Sequence, residues 1–158
     1  MSGDTQAGEF RLEEFLPYRL SVAANRTARL FAQRYSTAFG LSIPEWRVLA
    51  VVGRFGGLSS TEVAERTAMD KVKVSRAVHA LVGRGLLRRR ADTADRRVQR
   101  LEFTTAGRRV HAGIVPLARQ LEAELLAGLA EPDRTALSAA LAALEARLAG
   151  LGAADGPD

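Results

Sequence analysis

Apolar residues recur along residues 12–38 at Leu12, Phe15, Leu16, Leu20, Ala23, Ala24, Leu30, Phe31 and Tyr35, with arginines between them. That spacing follows the helical period and predicts one long amphipathic helix. Gly40-Leu41 interrupts it, and Ser42 ahead of Ile43-Pro44 marks a new start, because proline is tolerated in a first turn where its missing N–H is not needed. The second helix is expected to reach Arg54, to bury Trp46, Leu49, Ala50 and Val52 or Phe55, and to stop at Gly56-Gly57.

Ser59 followed three residues later by Glu62 has capping-box spacing and opens a short helix through Val63, Ala64 and Thr67. Asp70 suits the N-cap of another helix over 71–84, ended by Gly85. Two short helices joined by so tight a turn make a helix-turn-helix candidate. In the second, Val74, Val78, Leu81 and Val82 form a stripe to be buried, which leaves Lys71, Lys73, Ser75, Arg76 and His79 off it. Beyond Gly85 the period shortens. Residues 86–91 and 97–103 read as two strands around the polar turn Asp92-Thr93-Ala94-Asp95-Arg96, a β-hairpin with a basic tip. A helix-turn-helix followed by such a hairpin is a winged helix.

Thr104 is an N-cap for a long helix over 105–129, and Glu131-Pro132-Asp133 begins a last one reaching about 151, the two forming an α-hairpin. In the last helix Leu137, Leu141, Leu144, Leu148 and Leu151 recur in steps of four and three, while Leu117, Leu121, Leu125 and Leu129 line the one before it. Such a seam outside a small winged helix is expected to pair with a second copy. The fold class is therefore mostly α with a small β-hairpin wing. Its parts are a disordered tail at 1–10, an N-terminal dimerisation helix at 11–40, a winged helix-turn-helix at 41–104, a C-terminal helical hairpin for dimerisation at 105–151, and a second tail at 152–158.

Composition narrows the chemistry. With 158 residues, 47% hydrophobic and 26% charged, the chain has enough apolar mass for one core and too much for disorder. No apolar run approaches the ~18 residues of a membrane span. Ser2-Gly3-Asp4-Thr5-Gln6 has neither the basic start nor the apolar stretch of a secretion signal, so a cytoplasmic protein without a membrane partner is expected. The absence of cysteine removes disulfides, thiolate zinc sites, cysteine nucleophiles and thiol-oxidation switches. Two isolated histidines, His79 and His111, with no phosphate-cradling glycine loop or metal-ligand cluster, leave no catalytic constellation. The expectation is a protein that is not an enzyme and needs neither cofactor nor metal.

The net charge of +5 hides a segregation. Residues 1–70 balance, residues 71–109 hold twelve Lys or Arg against Asp92, Asp95 and Glu102, and residues 110–158 are acidic by four. A basic block on an otherwise neutral-to-acidic chain is the footprint of a polyanion-binding surface, because each phosphate neutralised releases condensed counterions. The competing reading is a solvated charged face, in which Arg76 makes a helix salt bridge, Arg88 to Arg90 line a wet strand and His79 is a plain surface residue.

The order of elements, together with Ile43-Pro44-Glu45-Trp46-Arg47-Val48-Leu49, Ser60-Thr61-Glu62-Val63-Ala64, Asp70-Lys71-Val72-Lys73-Val74-Ser75-Arg76, Gly85-Leu86-Leu87-Arg88-Arg89, Asp95-Arg96-Arg97 and Phe103-Thr104-Thr105-Ala106-Gly107, resembles the MarR family of bacterial transcriptional regulators over about residues 12–150. One departure is Val72-Lys73, where the family usually has a small polar pair, so the bases read do not carry over. The resemblance implies a homodimer whose recognition helices enter successive major grooves of double-stranded DNA while the wings reach minor grooves. It also implies repression of a nearby operon until a small ligand binds.

On that reading Ser59, Ser60, Thr61, Lys71, Lys73, Ser75, Arg76, His79, Arg90, Arg96 and Arg97 are the candidate DNA contacts, with Asp95 orienting an arginine of the wing. Leu12, Phe15, Leu16, Leu137, Leu141, Leu144 and Leu148 are the candidate dimer contacts. Tyr18, Arg19, Arg26, Trp46 and His111 are candidates for a small-molecule effector, either an aromatic carboxylate or an aromatic acyl-CoA. Two other readings stay open: a ligand-independent architectural DNA-binding protein, or a winged-helix module for protein or RNA.

Overall fold

Side-chain caps set where the helices begin. Ser42 Oγ accepts the Glu45 N–H at 3.4 Å while Glu45 Oε2 accepts the Ser42 N–H at 2.7 Å, and Ser59 and Glu62 repeat the exchange at 3.3 and 2.8 Å. Asp70 Oδ1 accepts the Lys73 N–H at 2.8 Å, and Thr104 Oγ1 accepts the Gly107 N–H at 3.0 Å. Each cap satisfies one N–H that the first turn leaves without a helical partner.

The computed structural model describes residues 10–154; residues 1–9 of the expected N-terminal tail, and 155–158 of the C-terminal one, lie outside it. Two compact units divide the chain, residues 1–115 and 116–158. The first contains a 3-10 turn at Leu12–Glu14, then α1 Leu16–Phe39, α2 Ile43–Phe55, α3 Ser60–Thr67, α4 Lys71–Gly83, β1 Leu87–Ala91, β2 Gln99–Phe103 and the beginning of α5 Thr105–Leu126. The second contains the remainder of α5 and α6 Glu131–Ala154. The division falls at Pro116 inside α5, whose missing N–H removes one hydrogen bond of the helical ladder. Among the described residues no helix is long and apolar enough to cross a membrane.

The core of the first unit is built by Val48, Leu49 and Val52 of α2, Val63 and Ala64 of α3, and Val74, Ala77, Val78 and Leu81 of α4. β1 and β2 pair antiparallel, with Leu87 opposite Phe103 and Arg89 opposite Leu101. Leu101 also donates its N–H to Leu58 O at 2.8 Å, which ties the hairpin to the segment before α3. The result is a winged helix-turn-helix.

Several expectations need correction. The first helix does not run from Leu12, because continuing through Pro17 would clash with the carbonyl four residues back; the chain makes a 3-10 turn and restarts at Leu16 with Pro17 in the first turn. Ala77 takes the buried place expected of Val82, which is only half-buried. Of the alternatives Val52 or Phe55, Val52 is the buried one; Phe55 is half exposed, its ring covered by the guanidinium groups of Arg66 at 4.1 Å and Arg54 at 5.3 Å. The strands are shorter than expected, Leu86 lying buried ahead of β1; α5 ends at Leu126 rather than 129; and α6 continues past 151 to Ala154.

Gly107 explains the segment that follows the wing. Thr104 Oγ1 donates to Gly85 O at 2.6 Å and Thr104 N donates to Leu86 O at 3.1 Å, which draws Leu86 onto the first turn of α5. A Cβ at Gly107 would collide with that Leu86 carbonyl, a backbone group with little room to yield. Gly107→Ala is expected to destabilise the protein by about 3 kcal/mol, the upper end of ordinary overpacking, measured by chemical denaturation.

Candidate nucleic-acid interface

A helix turns by about 100° per residue, so the buried stripe Val74, Ala77, Val78 and Leu81 fixes what the opposite face of α4 carries. Val72, Ser75, Arg76 and His79 centre on that outward face, and Lys71 and Lys73 stand about a quarter turn to either side. Lys73 Nζ lies 3.3 Å from Asp70 Oδ2, beside the cap. Among the described residues Lys71, Arg76, Arg89 and Arg96 make no ion pair with a carboxylate.

A groove of about 570 Å³ runs between the start of α3 and the wing. Ser59, Ser60 and Thr61 line one side, and Arg89, Arg97 and Gln99 the other. Hydroxyls and free N–H groups at a helix start, facing two guanidinium groups, are donors of the kind that can hold an anion. Arg89 was not singled out in the sequence; strand alternation sends it to the face opposite Arg88 and Arg90. Those two converge on Glu102, Arg88 at 2.8 Å and Arg90 at 3.6 Å. Arg90, a candidate contact, thus has a carboxylate neighbour within the hairpin.

The wing is held by contacts of Asp92, Arg100 and Glu62 that no sequence spacing shows. Asp92 Oδ1 accepts the N–H groups of Ala94 and Asp95, shaping the turn, while its Oδ2 accepts from Arg100 Nε at 2.7 Å. The same guanidinium donates through Nη1 to Glu62 Oε2 at 2.6 Å, and that oxygen also takes the Ser59 N–H. One carboxylate oxygen thereby joins the α3 cap to the wing. The Arg100 hydrogen bond, with the two backbone N–H groups, holds the Asp92 carboxyl down at about 2. Glu62 is lowered mainly by the Ser59 hydrogen bonds, with Arg100 adding to them. Asp95 accepts the Arg97 N–H at 3.0 Å and lies 4.0 Å from Arg97 Nε, while the Arg97 side chain is 96% exposed.

A second clamp lies at the far end of α4. The Arg84 guanidinium donates to Gly40 O and Phe39 O, both at 2.9 Å, and so satisfies carbonyls at the end of α1.

The candidate effector residues fall in three places. Tyr18, Arg19 and Arg26 line one cleft of about 310 Å³ with Glu13, Val22 and Ala23. Trp46 belongs to an aromatic cluster, its ring 5.0 Å from Tyr35 and 6.4 Å from Phe31. Trp46 Nε1 and the Tyr35 hydroxyl are buried without a hydrogen-bond partner in the protein, and burial pushes the Tyr35 phenol up. His111 stacks near Phe103 at 5.2 Å and packs onto Gly53 so tightly that a Cβ there would strike its ring. Of the candidate dimer residues, Leu12, Phe15, Leu16, Leu137, Leu141 and Leu148 are exposed and Leu144 is half-buried.

The family model described as MarR family matches residues 39–98. A crystal structure of a probable transcriptional regulator from Pseudomonas aeruginosa is 31% identical, over 85% of this chain and 99% of that one, with a TM-score of 0.75. A MarR family transcriptional regulator from Silicibacter pomeroyi DSS-3 is 30% identical over 89% and 99% of the two chains, with a TM-score of 0.76. BpsR of Bordetella bronchiseptica, whose DNA binding is regulated by 6-hydroxynicotinic acid, is 28% identical over 87% and 98%, with a TM-score of 0.79.

The wing network has a pH signature. A carboxyl lowered from 3.8 to about 2 contributes stability that is complete above its ordinary value and is lost as pH falls through the lowered one. Asp92→Asn is therefore expected to be less stable than the parent near neutral pH. The gap should close between about pH 4 and pH 2, read from denaturation midpoints along a pH series.

Proposed function

Because this chain belongs to the MarR family of transcriptional regulators, we propose that it is a homodimeric repressor of a pseudo-palindromic duplex operator, released by a small aromatic acid or its CoA thioester. Members of this family are regulators and not enzymes. The observation that carries the DNA reading is the outward face of α4, which holds Ser75, Arg76 and His79 and no carboxylate. Hydroxyl, guanidinium and imidazole groups bond base edges in a major groove, and Lys71 and Lys73 flank them toward the phosphates of either strand. Ser59, Ser60 and Thr61, with Arg89 and Arg97 across the groove, take a backbone phosphate. Arg96 at the hairpin tip enters the narrow, strongly negative minor groove, and Asp95 steadies Arg97 through its backbone.

Exposed leucines support pairing with a second copy. Leu137, Leu141 and Leu148 of α6, and separately Leu12, Phe15 and Leu16 near the chain start, stay open to solvent, which supports their burial against a second copy. Pairing sets two recognition helices on half-sites one helical turn of DNA apart, about 34 Å.

For the effector, the Tyr18, Arg19 and Arg26 cleft offers a ring to stack on and two cations for a carboxylate against the one acid of its lining, Glu13, at the lower end of the roughly 300–1,000 Å³ usual for small-molecule sites. The regulation of BpsR by an aromatic acid supports this ligand class. In a thermal-shift screen of benzoates, hydroxycinnamates and their CoA thioesters, at least one is expected to raise the unfolding temperature and to weaken operator binding. No response from any removes the aromatic-acid reading. A poor preference for operator over random duplex, with no ligand response, would make the protein architectural.

Replacing Arg96 and Arg97 together by alanine is expected to leave the dimer intact by sedimentation and to weaken operator binding at least about tenfold in a mobility shift. Unchanged binding would take the wing out of the interface.

A further inference from the structure

The side chain at the centre of the outward face of α4 is apolar. Val72 is 59% exposed, in the first turn of the helix, and its direction lies within about 60° of Ser75, Arg76 and His79, opposite the buried stripe. Lys71 and Lys73 beside it supply charge, yet Val72 itself donates and accepts nothing. Nor does it pack into the core, which α4 reaches with Val74, Ala77, Val78 and Leu81. A single exposed valine on a helix is ordinary; one at the middle of the polar face that meets the nucleic acid calls for an apolar counterpart there.

On the floor of a DNA major groove one base edge is apolar at its rim, the C5-methyl of thymine. Resting on the Proposed function reading of α4 as the helix that enters that groove, we infer that Val72 reads a thymine methyl in each half-site. A valine in a helix keeps essentially one χ1 rotamer, so both its methyl groups arrive pre-positioned. Its shortness lets the first turn approach the base closely. A cytosine at the same place carries only a hydrogen at C5, so the apolar contact with the valine methyl groups is lost. Val72 is thus a specificity-determining residue: it selects one base while the flanking lysines hold phosphates of any sequence.

The test uses the full chain and a pool of randomised duplexes. Sequences enriched by the protein define the half-site, and each thymine in it is then replaced by deoxyuridine, which differs only in lacking the methyl. One such replacement per half-site is expected to weaken binding about fourfold, the size of one buried methyl. Val72→Ala should lose a similar factor on the thymine duplex and be indifferent to the same deoxyuridine. In the converse arm, 5-methylcytosine at that position should recover affinity for the parent protein but not for Val72→Ala. The substitution sits on an exposed side chain, so circular dichroism and dimer mass serve as controls for folding. If every deoxyuridine is neutral, or if Val72→Ala feels it as strongly as the parent, the assignment is overturned while the DNA reading stands. If no sequence is enriched, both fall.

Discussion

Burial of one stripe on a thirteen-residue helix governs the rest of this molecule. Val74, Ala77, Val78 and Leu81 are each at most 3% exposed, packed where α2 and α3 supply Val48, Leu49, Val52 and Val63. At roughly 1.5–3 kcal/mol for each large apolar side chain buried, rotating α4 about its axis would forfeit most of the core, so its orientation is not negotiable. The opposite face is then decided as well, and Ser75, Arg76 and His79 must stand outward whether or not anything meets them. Function here is the complement of packing.

Around that fixed helix, short-range rules placed the elements well and long-range ones were invisible. Ser42 with Glu45, Ser59 with Glu62, Asp70 and Thr104 are caps whose partners sit three residues away, and a reader of the sequence sees both members at once. Pro17 is equally local, and its veto on a continuous first helix outweighs the apolar period that runs through it. The groove beside α3 was half legible, because Ser59, Ser60, Thr61 and Arg97 carried signals while Arg89 looked like any member of a basic run. Arg100 and Glu62 are 38 residues apart, and Arg84 reaches carbonyls 44 and 45 residues earlier; no spacing rule connects such pairs before the fold does. Ala68 is a milder case. It closes α3 at φ +51°, a left-handed conformation that glycine usually supplies, so the tight turn between α3 and α4 lacked its usual marker.

The acids inside the basic block show how such a surface is kept rigid without losing its charge. Residues 71–109 contain only Asp92, Asp95 and Glu102. Each is engaged within its own hairpin: Asp92 by Arg100 and the turn N–H groups, the exposed Asp95 by the Arg97 N–H, and Glu102 by Arg88 and Arg90. The exposed arginines paired with Glu102 contribute little singly, about 0–1 kcal/mol, so the value of those two pairs lies mainly in geometry. Glu62 extends the scheme, since its single oxygen fixes both the α3 cap and the base of the wing. Among the described residues Lys71, Arg76, Arg89, Arg96, Arg108 and Arg109 of the block are left without a carboxylate partner. A distant polyanion feels the whole positive excess of the block, whereas one in contact finds side chains whose supports are already in place. Less ordering is then left for the moment of contact, and for flexible arginines that ordering is among the larger costs of association, about 0.5–1.5 kcal/mol per side chain. Three carboxylates among twelve cations are enough for this because each engages two donors or a backbone N–H, whereas a carboxylate with no such partner would weaken the pull of the block on any polyanion.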